Sequence, residues 1–122
     1  MTEEQLLTSS VEVCADWIRS GSDVRSLAVS PDADVRKKVA EVLGRVLEYG
    51  HNKPLLELLR SMCNDNMIAV RCVVALALPA KDRYLAQMRL DTSPQVRVRV
   101  YQRWPELLTE AALCDASQAP SA

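Results

Sequence analysis

The strongest constraint on the fold is the motif V-R-x-x-V, which occurs three times. It begins at Val35, Val70 and Val96, and each copy carries further apolar or aromatic residues five and eight positions after its first valine. Apolar residues at positions 0, 4, 5 and 8 lie on one face of an α-helix. Because one such unit cannot bury its apolar face alone, the repetition predicts helical pairs that stack on one another.

The third copy of the motif, VRVRV at residues 96–100, fits two kinds of secondary structure. Strict alternation of valine and arginine is typical of a half-buried strand. Ser93-Pro94 just before it is typical of a helix start, with a capping hydroxyl followed by proline in the first turn. The other two copies do not alternate. We therefore interpret the third copy as a helix as well.

Capping residues, glycines and prolines divide the chain into predicted helices. The predicted ranges are residues 2–21, 22–29, 34–49, 52–62, 66–78, 81–89, 94–103 and 105–114. The helix at 66–78 is apolar nearly all round, which predicts burial between two neighbours. A chain of 122 residues suits one domain. We expect an all-α domain over residues 1–114 and a flexible tail over residues 115–122.

The arginine of each motif, at positions 36, 71 and 97, follows the first valine by one residue. At 100° per residue, Arg36, Arg71 and Arg97 fall inside the apolar arc of their helices. An unpaired charge there is costly, so each arginine needs an acidic partner. The loop aspartates of the same or the next repeat are the candidates. We favour this structural role over a role in ligand binding, which stays open as the alternative.

The repeated pattern, an acid in the loop followed by V-R-x-x-V and then Leu, resembles HEAT-type helical repeats. In its compact form it is also similar to the short bacterial leucine-rich-repeat variant. The resemblance covers residues 22–108, although the motif arginines are 35 and then 26 residues apart. It implies a short right-handed α-solenoid of about three helical-pair repeats after an N-terminal helix. It also implies a ladder of aspartate–arginine pairs between repeats.

Charge is distributed unevenly along the chain. Residues 1–34 hold seven acids and two bases, residues 35–103 hold thirteen bases and six acids, and residues 104–122 hold three acids and no base. The stretch 81–103 carries six bases against Asp82 and Asp91. Apart from the motif arginine, these bases form a candidate binding patch: Lys81, Arg83, Arg89, Arg99 and Arg103. Clustered bases can bind phosphates without any further motif, but the same bases also suit a solvated helix surface.

The sequence offers little chemistry for catalysis, metals or membranes. Its four cysteines form no CxxC pair, the single histidine, His51, lies in a loop, and no phosphate-binding or hydrolase motif is present. We expect no enzymatic activity, metal or cofactor. The N-terminus is acidic, unlike a secretory signal, and no apolar run is long enough to span a membrane. We therefore expect a cytoplasmic protein.

Two functions from different classes fit these observations. Stacked helical pairs present an extended surface, and proteins of this architecture bind macromolecules. The first hypothesis is therefore an adaptor or scaffold that binds a protein partner, with self-association through the exposed ends of the stack as a side prediction. The alternative is binding of a nucleic-acid backbone through the patch at residues 81–103.

Overall fold

The computed structural model describes residues 1–108, and this part of the chain is helical with no strand. Its α-helices are α1 (Glu3–Thr8), α2 (Val11–Arg19), α3 (Arg25–Ala28), α4 (Ala33–Glu48), α5 (Lys53–Ser61), α6 (Ile68–Ala77), α7 (Arg83–Gln87) and α8 (Pro94–Arg103). Short 3₁₀ turns at Met62–Asn64 and Met88–Leu90 extend α5 and α7. The predicted all-α class is confirmed for these residues. The predicted tail at 115–122 lies outside them.

The alternating VRVRV stretch forms the middle of α8. The Ser93 hydroxyl accepts a hydrogen bond from the Gln95 amide and Pro94 occupies the first turn, as the sequence indicated. Val96 and Val100 are fully buried, whereas Val98 between them is 47% exposed. Residues two apart on a helix point in different directions, so only alternate valines reach the core.

Helices α2, α4, α6 and α8, here called the longer helices, pack side by side in chain order. Helix α4 packs against α2 on one side and α6 on the other, and α6 then packs against α8. The remaining helices pack onto this row, and α3 and α5 both contact α4. The buried apolar side chains of both groups form one continuous core.

The buried positions repeat with the same spacing in α2, α4 and α6. Each helix buries two adjacent residues and a third residue four positions after the first. These residues are Val39-Ala40-Leu43 in α4 and Val74-Ala75-Leu78 in α6, and all six side chains are fully buried. Cys14-Ala15-Ile18 of α2 follows it too. Burial of each leucine or valine contributes roughly 1.5–3 kcal/mol, which makes this face the main source of stability.

Several predicted helix boundaries are wrong, and the helix predicted over residues 22–29 spans only Arg25–Ala28. The helix predicted over residues 2–21 is two helices, because the helix is interrupted at Ser9-Ser10. The Ser10 hydroxyl accepts a hydrogen bond from the Val13 amide and so caps the start of α2. The helix predicted from residue 81 starts at Arg83, since Asp82 caps its N-terminus. The helix predicted over 105–114 begins at Pro105, and its predicted end lies outside the described residues.

The contact between α4 and α6 is unusually close at one point. A Cβ atom added to Gly44 would lie 2.7 Å from the Cβ of Ala77 and 3.0 Å from its Cα. Non-bonded carbon atoms do not approach to 2.7 Å. Gly44 is therefore required by the close approach of the two helices rather than by a turn. The small residue on each helix sets their separation.

Replacing Gly44 with alanine is therefore expected to lower stability. Alanine favours a helix over glycine by about 1 kcal/mol, but overpacking at a tight contact costs about 1–3 kcal/mol. We expect Gly44→Ala to lower the free energy of unfolding in urea, and Ala77→Gly to restore part of the loss. Gly50→Ala is the control, because a Cβ at Gly50 meets no atom within 4 Å. A Gly44→Ala variant more stable than the parent would contradict the steric explanation.

Candidate interaction surfaces

The motif arginine of α4 joins two successive repeats. Arg36 donates from Nε and Nη2 to the two carboxylate oxygens of Asp65, at 2.7 and 3.1 Å. Its Nη1 donates to the backbone carbonyl of Ser30, at 2.7 Å. The side chains of Arg36 and Asp65 are only 12% and 8% exposed. The arginine thus holds the start of its own helix and the loop of the next repeat at once.

The motif arginine of α6 makes the same set of contacts one repeat later. Arg71 donates to both carboxylate oxygens of Asp91, at 2.9 and 3.2 Å, and to the carbonyl of Asp65, at 2.9 Å. In both repeats the carbonyl acceptor lies six residues before the arginine, and the carboxylate comes from the next loop. The sequence left open whether the acid belongs to the same repeat or the next one. The structure assigns it to the next one.

The third motif arginine differs from the other two. Arg97 donates to the carbonyl of Asp91, at 2.6 Å, again six residues before it. No carboxylate among residues 1–108 pairs with it. The expectation that each motif arginine has an acidic partner thus fails for Arg97 within these residues, because α8 is the last of the packed longer helices described.

The carboxyl of Asp65 is stabilised in its charged form. Burial opposes ionisation, but hydrogen bonds from the Arg36 guanidinium and the Met67 amide outweigh this effect and hold the pKa of Asp65 below its usual value. The same bond to Asp65 raises the pKa of Arg36 above its ordinary range. Both groups are therefore charged at neutral pH.

The predicted basic patch is spread over several elements, from the start of α7 to α8. Lys81 and Arg83 are exposed near the start of α7, with Arg83 over the Tyr84 ring at 5.4 Å from its centroid. Arg89 and Arg99 are half-buried, in the second 3₁₀ turn and in α8. Within residues 1–108, none of these four bases forms an ion pair.

The acids of the same stretch are neutralised by arginines from other elements. Asp91 pairs with Arg71, and Asp82 accepts from Arg60 at 2.5 Å. Arg60 also stacks over Tyr84, 4.8 Å from the ring centroid. The sequence analysis missed this pair. The aspartate at the start of α7 was a detectable signal, but its partner lies 22 residues earlier in α5, outside any repeated motif.

The helical position of Arg103 predicted that it lies on the outer face, but the structure places it against α6. Its Nη1 donates to the carbonyls of Ala75, at 2.9 Å, and Leu78 at the C-terminal end of α6. Burial lowers its pKa from the ordinary arginine value. Unpaired carbonyls at a helix end attract a cation, so Arg103 caps a neighbouring helix and is removed from the predicted patch.

An apolar groove on the surface of the longer helices was not predicted. Leu76, which is 50% exposed, projects into a groove of about 430 Å³ between α2, α4 and α6. The lining residues are Val11, Glu41, Gly44, Arg45, Glu48, Val73, Leu76 and Ala77; we call this surface the α4–α6 groove. The apolar circumference of α6 predicted burial between two neighbours, and α6 does pack between α4 and α8, but Met67, Ile68 and Leu76 remain 43–50% exposed.

The rim of the α4–α6 groove is charged on the α4 side. Arg45 pairs with Glu48, at 2.7 Å, and with Glu12 of α2. Its guanidinium also stacks on the exposed ring of Tyr49, 5.0 Å from the centroid. Glu41 stands on the same rim without an ion pair among the described residues. Among the residues that line the groove, Glu41 and Glu48 outnumber the single arginine, Arg45, which gives the lining a net negative charge.

No protein-family model, curated protein or solved structure matches the chain. Within residues 1–108, no group of three or more histidine, cysteine or acidic side chains is arranged to hold a metal ion. In the same part of the chain, no helix has both the length and the apolar character needed to cross a bilayer.

Loss of a motif arginine should destabilise the protein strongly. Arg71→Ala leaves the buried carboxylate of Asp91 without its partner, so we expect a loss of about 3 kcal/mol in the free energy of unfolding. Asp91→Asn in the same chain should recover part of this loss. Arg25→Ala is the control, because its pair with Asp23 is 79% and 73% exposed; we expect a change of about 0.5 kcal/mol or less. Equal effects of the two variants, measured by urea unfolding, would show that the ladder carries no stability.

The depressed pKa of Asp65 gives stability a defined pH dependence. A group whose pKa is lower in the folded state adds stability that is complete above the unfolded value, about 3.9, and is lost as pH falls through the folded value. We expect urea unfolding from pH 7 to pH 2.5 to show this loss. Asp65→Asn should start less stable at neutral pH and lose less on acidification. Parallel pH profiles for the two proteins would contradict the assignment.

Proposed function

We propose that the chain is a short right-handed α-solenoid of HEAT type, of about three helical-pair repeats, that serves as a cytoplasmic interaction module. It binds a protein partner and catalyses no reaction. The observation that carries the proposal is the α4–α6 groove with Leu76 exposed in it. Burial of exposed apolar surface is the main driving force of protein association, and an apolar patch beside charged residues is typical of a binding site.

The shape and charge of the groove favour one kind of occupant, an amphipathic helix of the partner. The groove runs along the contact between two helices, where the floor is formed by the small residues Gly44 and Ala77. Small residues there leave room for an apolar side chain of the partner, in the helix-in-groove mode of recognition. The acidic rim favours lysine or arginine on the flanks of that helix.

Two cysteines, Cys14 and Cys63, lie in surroundings that do not activate a thiol as a nucleophile. Burial raises the pKa of the Cys63 thiol to about 12, with the nearby Asp82 carboxylate acting in the same direction. Burial also raises the pKa of Cys14. A thiol of raised pKa stays protonated at neutral pH and reacts slowly.

Binding of a nucleic-acid backbone is the second candidate. It is favoured by the fact that Lys81, Arg83, Arg89 and Arg99 have no ion pairs among residues 1–108, whereas Asp82 and Asp91 are already neutralised by other arginines. Clustered bases without ion pairs bind phosphates with an affinity that falls steeply with salt. The patch is smaller than predicted, because Arg103 is engaged by α6.

The groove hypothesis predicts that Leu76→Glu abolishes partner binding. A photoreactive amino acid placed at position 76 should form a stoichiometric, nuclease-resistant crosslink to one protein, at an amphipathic helix of that protein. Leu76→Glu should then reduce binding of that isolated partner by at least about tenfold, since it places a charge in a desolvated contact. Leu90→Glu is the matched control, because Leu90 is 77% exposed outside the groove.

The same reagents separate the two candidates. A crosslink from position 90 but not from position 76, or unchanged binding by Leu76→Glu, would overturn the groove hypothesis. Single-stranded and duplex oligonucleotides provide the test of the second candidate. Binding that weakens steeply with salt and is lost in an Arg83→Glu, Arg99→Glu variant would support it. A crosslink to a second copy of the chain would identify self-association instead of a separate partner.

A further inference from the structure

The last longer helix has the same interface positions as the earlier ones, but they are incompletely covered. In α6 the residues four and seven positions after the motif arginine, Ala75 and Leu78, are fully buried. The corresponding residues of α4 are fully buried too. In α8 these positions are Tyr101 and Trp104, and both are only half-buried. The face of α8 that carries Arg97 is therefore built like an interface between repeats.

The first interface in the stack shows what happens where the ladder is absent. Alignment of Cys14-Ala15-Ile18 with the buried positions of α4 places Val11 where the later helices have arginine. The loop position that is aspartate in later repeats is Ser30, whose hydroxyl accepts the Asp32 amide at 3.1 Å as Asp65 accepts the Met67 amide at 2.9 Å. Arginine and aspartate are thus missing together at this interface.

The next two interfaces have both residues, as Arg36–Asp65 and Arg71–Asp91. Arginine and aspartate therefore occur together or not at all in the three interfaces that residues 1–108 complete. Arg97 keeps the arginine and its carbonyl contact, but no carboxylate among these residues pairs with it. A half-buried guanidinium beside incompletely covered interface positions is a site for a carboxylate, which its planar N–H donors can bind in bidentate geometry.

We infer that the face of α8 around Arg97 is a docking site for the chain's own C-terminal segment, residues 109–122, and that Asp115 supplies the carboxylate. This segment follows Leu108 directly, and Leu107 just before it is buried at 4% exposure. Asp115 follows Arg97 by 18 residues, close to the 20 residues that separate Arg71 from Asp91. The site is distinct from the α4–α6 groove, so the inference does not depend on the proposed function.

Local sequence and charge both favour Asp115 for this role. It begins the sequence Asp-Ala-Ser, which matches Asp91-Thr-Ser, where the Asp91 carboxylate accepts the Ser93 amide at 2.8 Å. Residues 104–122 contain three acids and no base, which complements an arginine without a carboxylate partner. Because the segment belongs to the same chain, its local concentration at α8 is high.

The side-chain NMR signal of Arg97 tests this pair directly. The Nε–Hε resonance, assigned with Arg97→Lys in the full-length protein, should exchange slowly with water, as those of Arg36 and Arg71 should. Asp115→Asn should shift it and speed its exchange, while the Arg36 and Arg71 signals stay unchanged. Glu110→Gln is the matched control, since it removes an acid from the same segment, and it should leave all three signals as they were.

Unfolding equilibria provide a second, independent readout. Asp115→Ala should raise the unfolding equilibrium constant by about tenfold, as expected for a charge-assisted hydrogen bond. Arg97→Ala should raise it at least as much, because it also removes the contact with the Asp91 carbonyl, and the double variant should be no worse than Arg97→Ala alone. Additive effects, or an Arg97 signal insensitive to Asp115→Asn, would overturn the inference. An Arg97 signal that changes on dilution would overturn it too, because the carboxylate would then come from a second copy.

Discussion

The bidentate pair between a motif arginine and the aspartate of the next loop fixes how successive helical pairs are placed. Each guanidinium uses one edge for a carbonyl of its own loop and the other for a carboxylate of the next. Apolar packing supplies most of the stability, but it is not directional. The planar guanidinium is directional, so it defines the register in which the apolar faces of two repeats meet.

The close contact of Gly44 with Ala77 links this packing to the surface. Because both residues are small, α4 and α6 approach until no further side chain fits between them. The larger apolar residues of α6 that do not face α4 or α8, such as Leu76, are then left at the edge of the contact. The α4–α6 groove and the tight helix contact are therefore two results of the same choice of residues.

The sequence was sufficient for features that depend on periodicity within one element. The three V-R-x-x-V copies correctly predicted helices, including the strand-like VRVRV, and placed the motif arginines near the packed side. The sequence was insufficient where a neighbouring element determines the exposure of a side chain. The helical angle of Arg103 placed it outside, but the end of α6 lies within its reach. Likewise, the apolar circumference of α6 could not show which side its neighbours leave open.

The direction of the ladder has a consequence for synthesis of the protein on the ribosome. Every paired motif arginine binds an aspartate that comes later in the chain, 29 residues after Arg36 and 20 after Arg71. At about 5–20 residues per second, each newly made helix keeps an uncompensated guanidinium for roughly 1 to 6 seconds. The arginine–aspartate pairs thus form in order from the N-terminal side, and each pair forms only when the following loop has emerged.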